Sequence, residues 1–160
     1  MPIELPMIWI VILNVVLWPV IQMALAWGFT RMPDSCFHPP ASPAFETVRF
    51  YEDVLLIKQW KNLLPDGAKW IGGAFQKSQM RACDPAYLNR FIVETWRGEL
   101  CHCGAFLFVP VFFLWNPWWG NCVILAYAIT ANLPCIIAQR YNRIRLRHLL
   151  ARMNRIPPHG

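Results

Sequence analysis

The chain has 160 residues, enough for one domain, and carries 15 Lys and Arg against 9 Asp and Glu, a net charge of +6. Hydrophobic residues make up 56% and charged residues 15%, whereas soluble domains carry about 25% charged residues. A soluble domain of this size has too little interior for so much apolar surface, so the composition indicates a membrane protein. Because no RNA- or DNA-binding motif is visible, we expect the basic charge to face lipid and expect no nucleic-acid partner.

The first apolar run covers residues 7–29, which contain no charged side chain. About 20 residues in a helix cross the hydrocarbon core, so we predict a transmembrane helix here. A signal peptide would need a positive start, a shorter apolar core and a small-residue cleavage site, and the run lacks these features. Asn14 and Gln22 lie within the run, and we expect both to face protein rather than lipid.

The segment at residues 30–97 is predicted to lie in the cytoplasm. Within it, the near-helical spacing of apolar residues over 47–64 predicts an amphipathic helix at the membrane surface. Lys58 and Lys61 flank Trp60 on this helix, a pattern typical of a helix that lies on lipid. The turn sequence that contains Asp66 then ends it.

The second half of the chain is dominated by residues 100–139, which contain no Asp, Glu, Lys or Arg. Asp84 followed by Pro85 predicts a helix start. We expect that helix to continue into a second span at about 99–116, with a kink at Pro110, and a third span at about 119–139. Asn132 needs a protein partner at such depth.

Together these elements predict an all-α integral membrane protein that forms a single domain over residues 1–160. It would have three transmembrane helices, a cytoplasmic amphipathic helix and a basic C-terminal helix within residues 140–160. All 15 Lys and Arg fall in residues 31–97 or 140–155. By the positive-inside rule, the C-terminus is then cytoplasmic and the N-terminus outside a multi-pass protein of the cell membrane.

A charged cluster borders the uncharged run, and ionisable groups in such a position indicate function. Glu94, Arg97, Gly98, Cys101 and His102 fall along one broad side of the predicted helix. Glu99 is three residues from His102, so it can hold one imidazole nitrogen while the other acts as general base. Gly98 would leave room for a substrate, and Arg97 could hold a phosphate or an oxyanion. The alternative is a set of ordinary interfacial ion pairs.

Metal binding is not predicted. The six Cys match no disulfide framework and no paired zinc pattern. Cys101-His102-Cys103 has metal-binding residue types, but neighbours on a helix point in different directions and cannot all reach one ion. We therefore interpret these thiols as small apolar side chains.

Three motifs resemble one family of small bacterial membrane proteins, the glycosyl-4,4'-diaponeurosporenoate acyltransferases. They are IKxWKxxLPDG at residues 57–67, ETxRxELxH at 94–102 and NLPxxxxQRYNR at 132–143. The resemblance covers most of the chain and implies an O-acyltransferase, which transfers a fatty acyl group to a hydroxyl of a glycosylated carotenoid or similar glycolipid. This chain departs from the expected pattern at Gly98 and Cys103, where the small side chains would enlarge a pocket beside His102.

From the chemistry and this resemblance we predict His102, Glu99 and Glu94 as catalytic residues. The predicted substrate-binding residues are Arg97, Lys58, Trp60, Lys61, Asp66, Asn132, Arg140, Asn142 and Arg143. The fatty-acyl donor, such as acyl-CoA, would be a co-substrate, and no cofactor is expected. The predicted partners are the lipid bilayer, the acyl donor and the glycosylated carotenoid or glycolipid acceptor, and another membrane protein is a further candidate.

Two other functions stay open at this point. The chain could be a non-catalytic membrane subunit that binds pigment, lipid or a larger complex through its Trp- and Phe-rich helices. A lipid-modifying transferase of another kind, such as a methyltransferase with a polar cofactor at the Arg-rich tail, is a weaker alternative.

Overall fold

The structure, a computed structural model, describes residues 2–64 and 84–155. This part of the chain folds into α-helices and short 3₁₀ and π turns, without β-strands. The prediction of an all-α protein is therefore confirmed. The helices are α1 (Met7–Arg31), α2 (Ile57–Trp60), α3 (Pro85–Phe106), α4 (Val109–Phe112) and α5 (Trp118–Met153).

Two of these helices, α1 and α5, are long and apolar enough to cross a membrane. They contain the predicted first and third spans. The predicted second span at 99–116 does not form one helix, because α3 ends at Phe106 and α4 is a single turn. Pro110 accounts for the break: it has no backbone N–H, and its ring would clash with the carbonyl four residues earlier in a continuous helix. The predicted kink thus occurs as a break.

The start of α3 follows the predicted capping pattern. Asp84 is the N-cap, and its carboxylate accepts a hydrogen bond of 3.1 Å from the backbone N–H of Ala86. Pro85 occupies the first helical position, where a missing N–H has no cost. Both features define the N-terminus of the helix that carries the predicted catalytic residues.

The helices α1, α3 and α5 pack together around a buried apolar cluster. Trp18 of α1 lies with its ring centroid 5.5 Å from both Phe112 and Tyr127. Ala105 of α3 and Ala128 of α5 are fully buried in the same cluster. Small side chains at these positions allow the helix backbones to approach closely, as in membrane helix bundles.

The predicted amphipathic helix at 47–64 is wrong as a single element. The chain forms a π turn at Phe50–Val54 and α2 at Ile57–Trp60, separated by Leu56 in a left-handed conformation with φ 49°. This reversal allows Tyr51 and Ile57 to be buried together against Tyr141 of α5. Tertiary packing has therefore overridden the helical period, because a straight helix would not bury both side chains against α5 in this way.

The predicted basic C-terminal helix is part of α5, which continues unbroken from the apolar run to Met153. Asn132, Arg140 and Arg143 consequently lie on one helix and share its contact with α3. Because the helix is continuous, residues of the apolar run and residues of the basic segment face α3 in one interface. This interface contains the candidate site.

Candidate functional site

A cluster of uncharged polar side chains joins the three long helices. Asn132 of α5 is fully buried, and its Oδ1 accepts a hydrogen bond of 2.8 Å from Nε2 of Gln22 in α1. The same Oδ1 lies 3.0 Å from Nδ1 of His102 in α3. The predictions that Gln22 and Asn132 contact protein are confirmed. We refer to Gln22, His102 and Asn132 as the neutral cluster.

The amide orientation of Asn132 selects the tautomer of the neutral His102 ring. Nδ2 of Asn132 donates a 2.9 Å hydrogen bond to the carbonyl of Ala128, so Oδ1 is the atom that faces the imidazole. A carbonyl oxygen only accepts, so Nδ1 of His102 must carry the hydrogen. In the neutral ring Nε2 then has a free lone pair. Among the described residues Nε2 has no hydrogen-bond partner, and the side chain is half-buried.

The predicted contact between Glu99 and His102 is wrong. Glu99 is 1% exposed, and both of its carboxylate oxygens accept hydrogen bonds from arginines of α5. Oε1 binds Nε of Arg140 and Oε2 binds Nη2 of Arg143, each at 2.6 Å. Arg140 also donates to Oε1 of Glu46 at 3.0 Å. We refer to Glu46, Glu99, Arg140 and Arg143 as the charged cluster, in which two carboxylates balance two guanidinium groups.

Arg97 is the centre of a second group of ion pairs. It donates a 2.7 Å hydrogen bond to Oε1 of Glu94, and it also binds Oδ1 of Asp34 and the backbone carbonyl of Met32. Its guanidinium lies 4.6 Å from the ring centroid of Phe37. These contacts hold the loop after α1 against α3. The predicted catalytic Glu94 and substrate-binding Arg97 are thus bound to each other rather than to the neutral cluster.

The space beside Gly98 is not open to a substrate, contrary to the prediction. A Cβ atom at this position would lie 3.0 Å from Nε2 and 3.2 Å from Cδ of Gln139. The Gln139 side chain of α5 therefore fills the gap. The missing side chain at Gly98 allows α3 and α5 to cross closely at this point.

The other predicted substrate-binding residues lie mostly near Tyr141 of α5. The ammonium group of Lys58 is 2.7 Å from Glu52, and this partner raises the pKa of Lys58 and lowers that of Glu52. Lys61 lies 5.0 Å from the centroid of the Tyr141 ring. Trp60 donates a 2.9 Å hydrogen bond to the backbone carbonyl of residue 55.

Two further predicted substrate-binding residues, Asn142 and Asp66, have no described contact with either cluster. Asn142 is half-buried on α5, adjacent to the charged cluster in sequence. Asp66 lies outside the described residues. The residues that sequence reasoning did not assign to a site are Gln22, Asp34 and Glu46. Only Gln22 had a visible signal, a polar side chain inside an apolar run.

An apolar groove of about 400 Å³ runs along the C-terminal half of α1. Its lining residues are Val20, Ile21, Ala24, Leu25, Gly28, Phe29, Met32 and Phe108. His102 is not among them, so the groove and the neutral cluster are distinct features. Within the described ranges no three His, Cys, Asp or Glu side chains are arranged to hold a metal ion.

The fold and the site together define an all-helical protein with two membrane-length helices and a histidine of α3 that is hydrogen-bonded to one of them, α5. The sequence profile of the glycosyl-4,4'-diaponeurosporenoate acyltransferase family matches residues 33–152. Glycosyl-4,4'-diaponeurosporenoate acyltransferases of Staphylococcus aureus strains MRSA252 and USA300 are 32% and 31% identical to this chain over 143 residues, or 86% of each sequence. No solved structure matches the chain significantly. The chain belongs to this acyltransferase family.

Proposed function

We propose that this protein is a membrane O-acyltransferase that esterifies a hydroxyl of a glycosylated carotenoid or similar glycolipid with a fatty acyl group. The observation that carries the proposal is the His102 imidazole, whose Nδ1–H is bound by Asn132 and whose Nε2 is unpaired among the described residues. Membership of the family supports the reaction class and the kind of acceptor. A half-buried histidine with one oriented nitrogen is a suitable general base for an alcohol.

The proposed reaction begins when Nε2 of His102 removes the proton from the acceptor hydroxyl. The oxygen attacks the acyl carbonyl carbon of the donor, and a tetrahedral intermediate forms. Its collapse breaks the bond to the leaving group, a thiolate if the donor is a thioester such as acyl-CoA. The protonated imidazole then returns its proton to the leaving group, so the histidine is regenerated. Asn132 accepts the Nδ1–H bond throughout and stabilises the ring orientation.

The roles of the predicted carboxylates change in this proposal. Glu99 and Glu94 are occupied by arginines, so we assign them to the packing of α3 rather than to proton transfer. Arg97, Arg140 and Arg143 are occupied by the same carboxylates and belong to the packing as well. Lys58 and Lys61 remain the proposed contacts for a phosphate-bearing head of the acyl donor. The Lys58 side chain is 63% exposed, so an anion can reach it beside its partner Glu52, and ammonium groups at a membrane surface attract anions.

We propose three membrane crossings, with the N-terminus outside and the C-terminus in the cytoplasm. The second crossing consists of α3 and α4 together. Arg97 contacts the C-terminal end of α1 through Met32, while the carbonyl of Leu114 accepts a 2.9 Å hydrogen bond from Ile3 before α1 begins. These contacts place the segment from Arg97 to Leu114 alongside α1, whose 25 residues span about 38 Å at 1.5 Å per residue, enough to cross a hydrocarbon core of about 30 Å.

The test is an acylation assay in membranes that contain the chain and a glycosylated carotenoid, with mass spectrometry of the lipid products. Wild-type protein should yield a fatty-acyl ester, and His102→Gln should lower its rate at least about 100-fold, since a general base contributes about 10²–10⁴. His148→Gln is the matched control, because His148 is exposed on α5. Full activity in His102→Gln would refute the proposed base.

A second candidate function is a non-catalytic membrane subunit. The observation in its favour is the charged cluster, a set of ion pairs in which Glu46, Glu99 and Arg143 are buried and only Arg140 is partly exposed, as expected of groups that serve packing. The same assay separates the two functions. If the protein is a subunit, neither wild type nor any variant forms the ester. If it is the enzyme, wild type and His148→Gln form the ester and His102→Gln does not.

A further inference from the structure

We infer that Gln22 of α1 is a positioning residue that keeps Nε2 of His102 unprotonated and available as the base. The inference rests on the proposed function and concerns a residue outside the stretch 33–152 that the family profile matches. Gln22 does not touch the imidazole. It acts through Oδ1 of Asn132, which lies 2.8 Å from the Gln22 amide nitrogen and 3.0 Å from Nδ1 of His102.

The geometry supports this role because one oxygen, Oδ1 of Asn132, accepts hydrogen bonds from two helices: from Gln22 of α1 and from His102 of α3. Oδ1 of Asn132 faces both Gln22 and His102, while Nδ2 points back to the carbonyl of Ala128. If the amide turned over, the NH₂ group would face the imidazole and Nδ1 would have to accept. The hydrogen of the ring would then sit on Nε2, and the base would be lost. The bond from Gln22 acts together with the bond from Nδ2 to Ala128, and both favour the productive orientation.

Two variants separate positioning from mere packing. Gln22→Met keeps the length of the side chain but removes the donor, and we expect kcat to fall about tenfold with little change in KM. Gln22→Glu introduces a carboxyl group that donates to Oδ1 only when it is protonated. As the pH rises, the ionised group repels Oδ1 and favours the turned-over amide. Activity relative to wild type should therefore fall with increasing pH in Gln22→Glu, but not in Gln22→Met.

The tautomer itself can be observed by ¹⁵N spectroscopy of histidine-labelled protein in lipid nanodiscs, with His102→Gln used to assign the signals. Wild type should show a protonated Nδ1 and an unprotonated Nε2, and Gln22→Glu should shift toward the opposite tautomer at high pH. Asn14→Leu is the matched control on α1. Asn14 bonds to Trp115 and Asn116 instead, so its loss loosens α1 without touching Asn132.

Each outcome decides a separate question. If Gln22→Met and Gln22→Glu leave kcat, the pH profile and the His102 signals unchanged, the inference is overturned, even when His102→Gln is inactive. The same holds if Asn14→Leu produces the same tautomer change, because the effect would then be general loosening. If His102→Gln keeps full activity, the proposed base is refuted although acylation itself stands, and the ¹⁵N signals still show whether Gln22 controls the tautomer.

Discussion

The neutral and charged clusters occupy the same interface between α3 and α5, yet they have opposite capacities for chemistry. His102 and Glu99 are only three residues apart on α3. In the charged cluster both oxygens of Glu99 are bound and the carboxylates balance the arginines. In the neutral cluster one nitrogen of His102 is oriented while the other is unpaired within the described part of the chain. Nearness to a charged motif therefore does not make a side chain available for chemistry, and the unused proton acceptor of His102 is the observation on which its proposed role rests.

The largest expected effect comes from breaking the charged cluster. Glu99→Ala leaves the buried guanidinium of Arg143 without its carboxylate, and removal of one partner of a buried ion pair costs about 3–5 kcal/mol. We expect much less folded protein and a lower thermal midpoint in detergent. Lys58→Gln, which removes the exposed partner of Glu52, is the control and should change stability little. Equal stability of the two variants would contradict the structural role of Glu99.

A double substitution tests whether the cost in Glu99→Ala comes from the charge that is left unpaired. Glu99→Met together with Arg143→Met removes both buried charges, and apolar replacement of a buried pair is often neutral or stabilising. The guanidinium of Arg143 also has two nitrogens without hydrogen-bond partners among the described residues, and that cost disappears with it. Arg140 retains Glu46. We expect thermal stability to recover most of the loss seen in Glu99→Ala; no recovery would show that the pair itself determines the packing.

The neutral cluster should respond differently. Asn132→Leu removes the acceptor of both His102 and Gln22, and unsatisfied buried donors cost about 1–3 kcal/mol. We expect a smaller loss of stability than for Glu99→Ala but a larger loss of acylation per folded molecule. Folded protein is quantified by size-exclusion chromatography before the ester assay. If activity per folded molecule equals that of wild type, Asn132 does not orient the base.

The smallest effect is expected where the helices cross at Gly98. Gly98→Ala gains helix propensity but places a Cβ 3.0 Å from the end of the Gln139 side chain, which can move aside. The net change in unfolding free energy should stay within about 1 kcal/mol. Gln139→Ala combined with Gly98→Ala tests the contact by a double-mutant cycle on thermal stability. A large loss in Gly98→Ala alone would show that Gln139 is fixed in place.

Much of the architecture could be predicted from local patterns. The apolar runs that contain α1 and α5, the cap at Asp84 and the break near Pro110 follow from composition, capping and the chemistry of proline. The region 47–64 could not be predicted, because the left-handed Leu56 is stabilised by burial of its neighbours against α5. Helical spacing contains no information about such a reversal.

The sequence by itself determined the helical class, the uncharged run beside an ionisable group and the motifs that resemble one acyltransferase family. It also indicated that Gln22 and Asn132 require protein partners, since amides are costly to leave unpaired at apolar depth. Only the tertiary structure decided which partners they have. Glu99 is the nearer carboxylate in sequence, but two arginines of α5 hold it, and Asn132 is the residue that meets His102. Pairing across helices depends on packing and on the balance of buried charge, which spacing along one helix does not contain.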